Sequence, residues 1–579
     1  MFCFLVVFAF CKVELDVSFY KNLIDSVPGQ YKRYWEWFFA FSQVPRQSWN
    51  HKYAAPQIRK WLLEMGLPES SITIDGAPNV LARIPASPGL ENSPSVCLQA
   101  HMDVALHYTA EKLPYKVNLV NDWFIANESL LGADDGVGTA WQLLTAEERD
   151  EFKHGPIELL FTSDEEVGLV GMDYLPGPEN LTHGLRSKSI INIDFFDSDK
   201  MAISSAGSIR FELNGKRNVS KVSKDTHKRI DFSVLNMIGG HSGMNMINGR
   251  PTPHDWCSRM LAELIENDIS FRIGYFITGD SYNVLPVNGK VSIAVSKDNA
   301  NKAESIISAT FANLQLQYAA LQLSQATYQI KSQEIEEDYV SLNEEDSVQL
   351  VDSVINMFHG VLYYVVDAIY TSQNVARVVF NATEEKMSFH VMPRTHIKGH
   401  LDYLRRRMSS FSRVFLFNKP IEHSNNDPWV GNQKANVFTK FREGYKHISG
   451  EEIKPVVFHA GIEAGKFQTR GYTDADVINF GADTINAHTI GEGVKVSTTN
   501  TKTDVLREFL KLFGDPTYQP QKPTPTSTHQ PKNENSLVTI LSVICISLTI
   551  IIVIIGFSYF SLKRQYSQIN EGSNAMLLG

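Results

Sequence analysis

In the stretch Thr162 to Gly168, TSDEEVG, three carboxylates stand side by side directly after the apolar run PIELLF. The same juxtaposition recurs along the chain. His101 and Asp103 follow SVCLQA, Asp134 and Asp135 sit in a Gly-rich loop, and Asp194 follows SIINI. Taken singly, each has a plain explanation: a hydrogen-bonded His-Asp pair, or a helix cap. Taken together, carboxylates gathered at one place repel and raise one another's pKa unless a cation neutralises them. A divalent metal is the economical cation. Zinc accepts His nitrogen and carboxylate oxygen, and a hydrolytic site keeps one position open for water. Two metals sharing a carboxylate clamp both the attacking water and the substrate carbonyl oxygen. Such a centre needs a bridging acid, two further ligands per metal and one acid left free as general base. With His488 in NAHTIG as a second histidine, the inventory suffices.

The elements that must position these groups alternate in type. FYKNLIDSV and YKRYWEWFFAFSQV carry apolar residues at helical spacing, and PQIRKWLLEMGL reads as an amphipathic helix. SITIDGAPNVLARIPA reads as a hairpin, and SVCLQAH, PIELLFTS and SIINIDF as buried strands. GVGTAWQLLTAEERDEF between them reads as a helix opened by Gly136. The β-α-β order predicts an α/β sheet, whose ligands sit beyond the carboxyl ends of its strands. From about residue 205 to 400 the texture changes. RIDFSVLNMIG, SFRIGYFITG, KVSIAV and VARVVF alternate as half-exposed strands among helices, an α+β pattern. VVFHAGIEAG, DVINFGAD and a closing helix then return to the first texture. The expected plan is a catalytic domain at 16–205 and 401–514, interrupted by an inserted domain at 206–400.

The motifs LQAHMDVA, LLGADDGVGTA, FTSDEEVG and INIDF, followed by IGGHSGMNM, SYNVLP, TSQNVARV, FHAGIEAG and NAHTIGEGV, occur in this order between residues 98 and 494. Together they resemble the M20 metallopeptidases, and within them the aminoacyl-histidine dipeptidase branch (bacterial peptidase D). The resemblance implies an α/β catalytic domain holding two Zn2+, with Co2+ or Mn2+ as other divalent occupants, and an inserted α+β lid. By motif, His101, Asp134 and Asp194 would bind one metal. Asp134, Glu166 and His488 would bind the other, with Asp134 as the bridge. Glu165 would be the general base for the attacking water, and Asp103 would orient His101. His241 would reach the tetrahedral oxyanion, Asn283 would contact the substrate backbone, and Arg394 and His459 would read the substrate's C-terminal carboxylate. The bland readings are a surface ion pair for Arg394 and a satisfied turn residue for His459. A cis peptide between Asp134 and Asp135 is also implied. Asp135 departs from the branch, which often has Asn there, and agrees with other M20 members. Asp164, outside the Glu-Glu pair, is read as solvated or structural.

The 579 residues carry a net charge of -10, which excludes the clustered basic face that nucleic acid requires. Of five cysteines only Cys97 and Cys257 lie in the body, so neither a disulfide framework nor a Cys metal site is available. MFCFLVVFAFC has the size of a signal peptide, taken as 1–15. At the other end, residues 515–536 form a Pro/Thr-rich stalk, and 537–562 run for 26 residues without a charge before Lys563 and Arg564. That is a transmembrane helix with a positive-inside flank, leaving 563–579 as a cytoplasmic tail. The topology is type I, with a luminal or extracellular body at the plasma membrane or in endolysosomes. Four glycosylation sequons at Asn127, Asn180, Asn218 and Asn381 fit it. Tyr566-Ser567-Gln568-Ile569 is similar to a tyrosine-based sorting signal read by adaptor proteins.

The sequence therefore reads as a membrane-anchored zinc dipeptidase acting on short peptides, Xaa-His among them, with a second copy of the chain as a further partner. The alternatives are an M20 aminoacylase or carboxypeptidase, and a receptor ectodomain on a dead peptidase scaffold. The last predicts broken ligands, and all five stand intact.

Overall fold

Beta-branched and apolar residues crowd the runs Val96–His101, Ile157–Thr162 and Ser189–Asn192, and the first two are buried along their whole length. Strands hidden on both faces belong in the middle of a parallel sheet. The computed structural model describes residues 12–105, 113–319, 325–335, 339–365 and 368–520. We number the strands of this first sheet β1 (Ile72–Ile74), β2 (Val80–Ile84), β3 (Val96–His101), β4 (Ile157–Thr162), β5 (Ser189–Asn192), β6 (Lys200–Ser205), β7 (Trp429–Val430), β8 (Lys454–Phe458) and β9 (Asp476–Asn479). Their order is β1-β2-β4-β3-β5-β9-β6-β7, with β8 alongside β6. β4, β3, β5 and β9 run parallel, so their carboxyl ends share one edge. β9 lies between β5 and β6, although it follows them in sequence by more than 270 residues.

The helix Ala133–Glu147 crosses from β3 toward β4, its residues buried almost throughout, against the aromatic-rich helix Lys32–Ser42. Trp35, Trp37, Phe38, Phe39 and Phe41 on that helix are fully buried, and they anchor the layer that backs the sheet. The closing helix Val496–Gly514 packs on Asn436–Ser449 in the same core. A small second ladder pairs Gly493–Lys495 with Trp123–Ala126 and with Thr484–Ile485, so residues 486–492 form a hairpin loop at the sheet edge.

A separate antiparallel sheet begins at Gly207–Lys216 and has its own core, with the helices Pro253–Glu266, Ala300–Ala319 and Glu344–Asn356 packed on it. Its outermost strand on one side is Ile421–Asn426, a polar and largely exposed edge that apolar alternation does not reveal. Both body cysteines are free and buried. Among the described residues no helix is long and apolar enough to cross a membrane. The 537–562 segment, the tail with Tyr566 to Ile569, most of the 1–15 segment and the stalk beyond residue 520 lie outside the described residues.

Candidate metal centre

β3 delivers His101 at its carboxyl end, 1% exposed. Its Nδ1 lies 3.1 Å from the main-chain oxygen of Asp103 and 3.5 Å from Asp103 Oδ1, which leaves Nε2 to face the loop after Gly132. Gly132 has φ +71, and a Cβ there would collide with the buried guanidinium of Arg46, so the turn admits glycine alone. The Asp134-Asp135 peptide that follows is cis, as the resemblance implies. Asp134 is then presented between two imidazoles: Oδ1 is 2.9 Å from His101 Nε2 and Oδ2 is 3.0 Å from His488 Nε2. His488 Nε2 also lies 3.0 Å from Glu166 Oε2. Donor atoms of His101, Asp134 and Glu166 fall within 4.8 Å of one another, and so do those of His101, Asp135 and Asp194.

This donor set fits divalent metal. Four ligands at about 2.0 Å in a tetrahedron stand about 3.3 Å apart, close to the separations here. The electrostatics say the same. Burial and the neighbouring Asp194 and Asp134 raise Asp135 well above the carboxylate range, against the pull of His101 and the Gly138 N–H. Burial pushes Glu166 up to about 8 and Asp194 up to about 6. Glu165 is raised well above its ordinary value by burial and by Glu166, Asp194 and Glu463, despite the pull of His101. Burial alone lowers the two histidines, but the surrounding carboxylates prevail and raise His101 well above, and His488 to about 10. The protein alone balances this cluster with protons, and a bound cation would take their place.

Asp103 does more than face His101. Its carboxylate accepts the backbone N–H of Glu165 at 3.1 Å, that of Glu166 at 3.3 Å and the Ser48 hydroxyl at 2.7 Å, so it ties the end of β3 to the turn after β4. Asp164 is not solvated. It is 1% exposed, with Oδ1 accepting the Trp49 N–H at 2.6 Å and Oδ2 at 2.5 Å from His51 Nε2, and this pins the 49–51 loop.

Of the remaining predicted residues, Arg394 lies on a strand of the second sheet, His241 and Asn283 on its loops, and His459 just past β8 of the first sheet. His241 Nδ1 accepts the N–H groups of Gly243 and Met244 at 3.3 and 3.2 Å. Burial, Arg394 and His488 lower this imidazole to about 3. It is therefore neutral, with its proton on Nε2, a donor tautomer set by the loop. A Cβ at Gly243 would collide with the carbonyl of His459, so this glycine lets the two segments touch. Arg394 is 3% exposed, and its Nη2 donates to Ser242 Oγ at 3.1 Å. No carboxylate among the described residues pairs with it, and burial and Arg210 lower it to about 10, so it is no surface ion pair. His459 Nε2 lies 2.7 Å from Ser372 Oγ; burial, His396 and Arg394 keep it neutral. Asn283 gives its main-chain oxygen to the Ser242 N–H at 2.8 Å, which brings it beside His241.

Three residues escaped the motif reading. Glu492, 1% exposed, accepts the N–H groups of Leu131, Gly132 and Asp134 at 2.8, 2.7 and 3.1 Å and so holds the loop that presents Asp134. Arg46, 4% exposed, donates to the Gly132 carbonyl at 2.7 Å. Arg210 stands over the Tyr282 ring at 5.9 Å, near enough to Glu165 and Arg394 to be felt by both. The spacing of Glu492, four residues past His488, is the only signal that singles it out.

Residues 97–512 match the sequence profile of peptidase family M20/M25/M40. The cytosol non-specific dipeptidase of Escherichia coli (strain K12) is 25% identical over 486 residues, covering 82% of this chain and 96% of that protein. The crystal structure of aminoacylhistidine dipeptidase from Vibrio alginolyticus superposes with a TM-score of 0.67 at 24% identity, over 85% of this chain and 98% of that one. The match to the family profile runs from within β3 to the closing helix and takes in every residue of the two-histidine cluster, and this chain belongs to the M20/M25/M40 family of metallopeptidases.

Proposed function

We propose that the chain is a zinc-dependent dipeptidase that hydrolyses the peptide bond of short peptides, Xaa-His dipeptides among them. The observation that carries this is the Asp134 carboxylate with a histidine Nε2 at each oxygen, at 2.9 and 3.0 Å. His101, Asp134 and Asp194 would hold one zinc ion, and Asp134, Glu166 and His488 the other. Co2+ or Mn2+ suits the same donors. Bound there, the ions would supply Lewis acidity and a lowered water pKa.

The chain's own groups account for the rest. Glu165 takes the proton of the attacking water and returns it to the leaving amine. The neutral His241 donates from Nε2 to the developing oxyanion, and needs no reorganisation because its loop already holds the tautomer. Arg394, buried without a carboxylate partner among the described residues, offers its guanidinium to the substrate's C-terminal carboxylate, with His459 alongside and Asn283 on the substrate backbone. A carboxylate gripped at fixed distance from the scissile bond limits the substrate to short peptides. The Escherichia coli relative, named a non-specific dipeptidase, supports broad side-chain tolerance.

The proposal extends to location. The 537–562 span anchors the body outside or in the lumen as a type I protein, with 563–579 offering Tyr566 to Ile569 to adaptors, and the body pairs as a homodimer. Exposed Asn127, Asn180 and Asn218 are compatible with glycosylation there. The test is to incubate the purified body with dipeptides and N-acyl amino acids, with and without chelator, beside Glu165→Ala. Turnover of dipeptides that chelator abolishes supports the reading. Turnover that survives both chelator and substitution sinks it, and preference for N-acyl amino acids selects the aminoacylase alternative.

A further inference from the structure

One layer below the metal centre, a row of amide side chains crosses the sheet. Gln99 on β3, Asn192 on β5 and Asn479 on β9 are in register on adjacent parallel strands and are all 0% exposed. Asn479 Nδ2 donates to Asn192 Oδ1, Asn192 Nδ2 donates to Gln99 Oε1 at 2.7 Å, and Gln99 Nε2 donates to Glu463 Oε2. The Thr162 hydroxyl donates to the same Glu463 oxygen at 2.7 Å. At the far end, Asn479 Nδ2 also donates to the main-chain oxygen of Asp194 at 2.8 Å. Gln99 stands two residues before His101, and Asn192 two before Asp194.

All three amides point the same way, and an acceptor closes each end: the Asp194 main-chain oxygen, which can only accept, and the Glu463 carboxyl group. An amide side chain can turn to present oxygen or NH2, and its neighbours decide which. Glu463 Oε2 accepts from two donors in either protonation state, because Oε1 has no hydrogen-bond partner among the described residues and is the oxygen free to carry a proton. Gln99 must therefore turn its NH2 to Glu463 and its oxygen to Asn192. Asn192 must do likewise toward Asn479. Asn479 is left with both N–H groups for Asn192 and the Asp194 carbonyl. Aligned hydrogen bonds of this kind strengthen one another.

We propose that Glu463 is a positioning residue for the metal centre, supplying the acceptor that closes the Gln99 end of the Gln99–Asn192–Asn479 row and through the row holding Asp194 and His101 in place. The inference rests on reading those two residues as metal ligands. It predicts that Glu463→Gln, which keeps shape but lets the terminal group face either way, weakens zinc binding by about tenfold or more, the range typical of groups that orient ligands. The reciprocal exchange Glu463→Gln with Gln99→Glu supplies the row with a carboxylate one position along. Asn192 then still donates toward residue 99, and zinc affinity returns to within about threefold of the unsubstituted protein.

The experiment measures zinc dissociation constants by chelator competition for the unsubstituted protein, Glu463→Gln and the exchange variant, with the melting midpoint of each metal-free protein. Weakened zinc binding in Glu463→Gln and its recovery in the exchange variant support the proposal. Recovery still supports it if the single variant melts early, since a lost shape or volume would not be restored by a second substitution. Unchanged zinc affinity in Glu463→Gln, or no recovery in the exchange variant, overturns it. An unsubstituted protein that binds no zinc overturns instead the reading of the site beneath it.

Discussion

The Asp103 carboxylate receives the backbone N–H of Glu165 at 3.1 Å, so a residue leaving β3 fixes where the turn after β4 places its two glutamates. The same carboxylate holds Glu166 N–H and Ser48 Oγ. Asp103→Ala strands the partly buried Glu165 and Glu166 N–H groups, at about 1–3 kcal/mol each, and leaves Ser48 Oγ only the Val104 carbonyl at 3.3 Å. The expected outcome is a melting midpoint lowered by several degrees in the metal-free protein, together with loss of activity. Asp103→Asn, which keeps one oxygen, falls between. Calorimetry of the three proteins checks the order.

The proposed function gives the neighbours Glu165 and Glu166 separate tasks. Glu166 Oε2 faces His488 Nε2 at 3.0 Å, whereas no hydrogen bond or ion pair holds the Glu165 side chain among the described residues. Glu165→Ala should retain zinc and lose turnover by about 100- to 10,000-fold, the span of general-base effects. Glu166→Ala should lose zinc. Metal analysis after gel filtration separates the two, and equal zinc content in both variants would contradict the division.

Removing metal from the purified protein should abolish turnover and lower the melting midpoint, and restoring zinc should reverse both. A ligand that binds only the folded state at 100 times its Kd adds about 2.7 kcal/mol. A scan of melting midpoint against free zinc gives that Kd directly. A midpoint indifferent to zinc would exclude a metal site built on the folded sheet.

The buried, carboxylate-free Arg394 should matter only to substrates with a free C-terminus. A charge-assisted hydrogen bond contributes about 1.5–3 kcal/mol, so Arg394→Met should lower kcat/KM for a dipeptide by about 10- to 100-fold. The C-terminally amidated peptide should be cleaved equally by both proteins. A parallel fall for the amidated peptide would assign Arg394 to folding instead.

Lys502 offers a pH test away from the metal. It is 2% exposed, with Nζ 3.8 Å from the centre of the Tyr445 ring, and burial lowers its pKa to about 7. Between pH 7 and the ordinary lysine pKa the unfolded chain binds the extra proton and the folded one does not. Stability therefore rises with pH across that window through this group. Lys502→Met should flatten the rise, read as urea midpoints at pH 7, 8 and 9. An unchanged slope would contradict it.

The acids at the sheet edge were legible because each follows a short apolar run, a pattern local enough to read from one segment at a time. The groups that hold them were not. Glu492 reaches the 131–134 loop, and Glu463 reaches Gln99, across more than 350 residues of chain, and no period links the partners. Asp164, read as solvated or structural, is structural, and only its partners were hidden. It sits among acids of clear type, yet its partners Trp49 and His51 lie in a loop whose sequence gives no sign of where it docks. The edge strand Ile421–Asn426 lacks apolar alternation because it faces water.

The position of β9 has a consequence for how the chain is made. β5 and β6 are consecutive in sequence, but the strand that fills the space between them comes from residues 476–479. During synthesis at about 5–20 residues per second, the gap between β6 and β9 takes roughly 14–54 s to appear. For that time β5 and β6 present open edges, and Asn192 has no Asn479 to meet. The second sheet, whose strands are finished by Asn426, can complete itself first. A nascent chain paused in this interval is one that a chaperone would have to shield, and a truncation before residue 476 would leave a permanently unfilled slot in the central sheet.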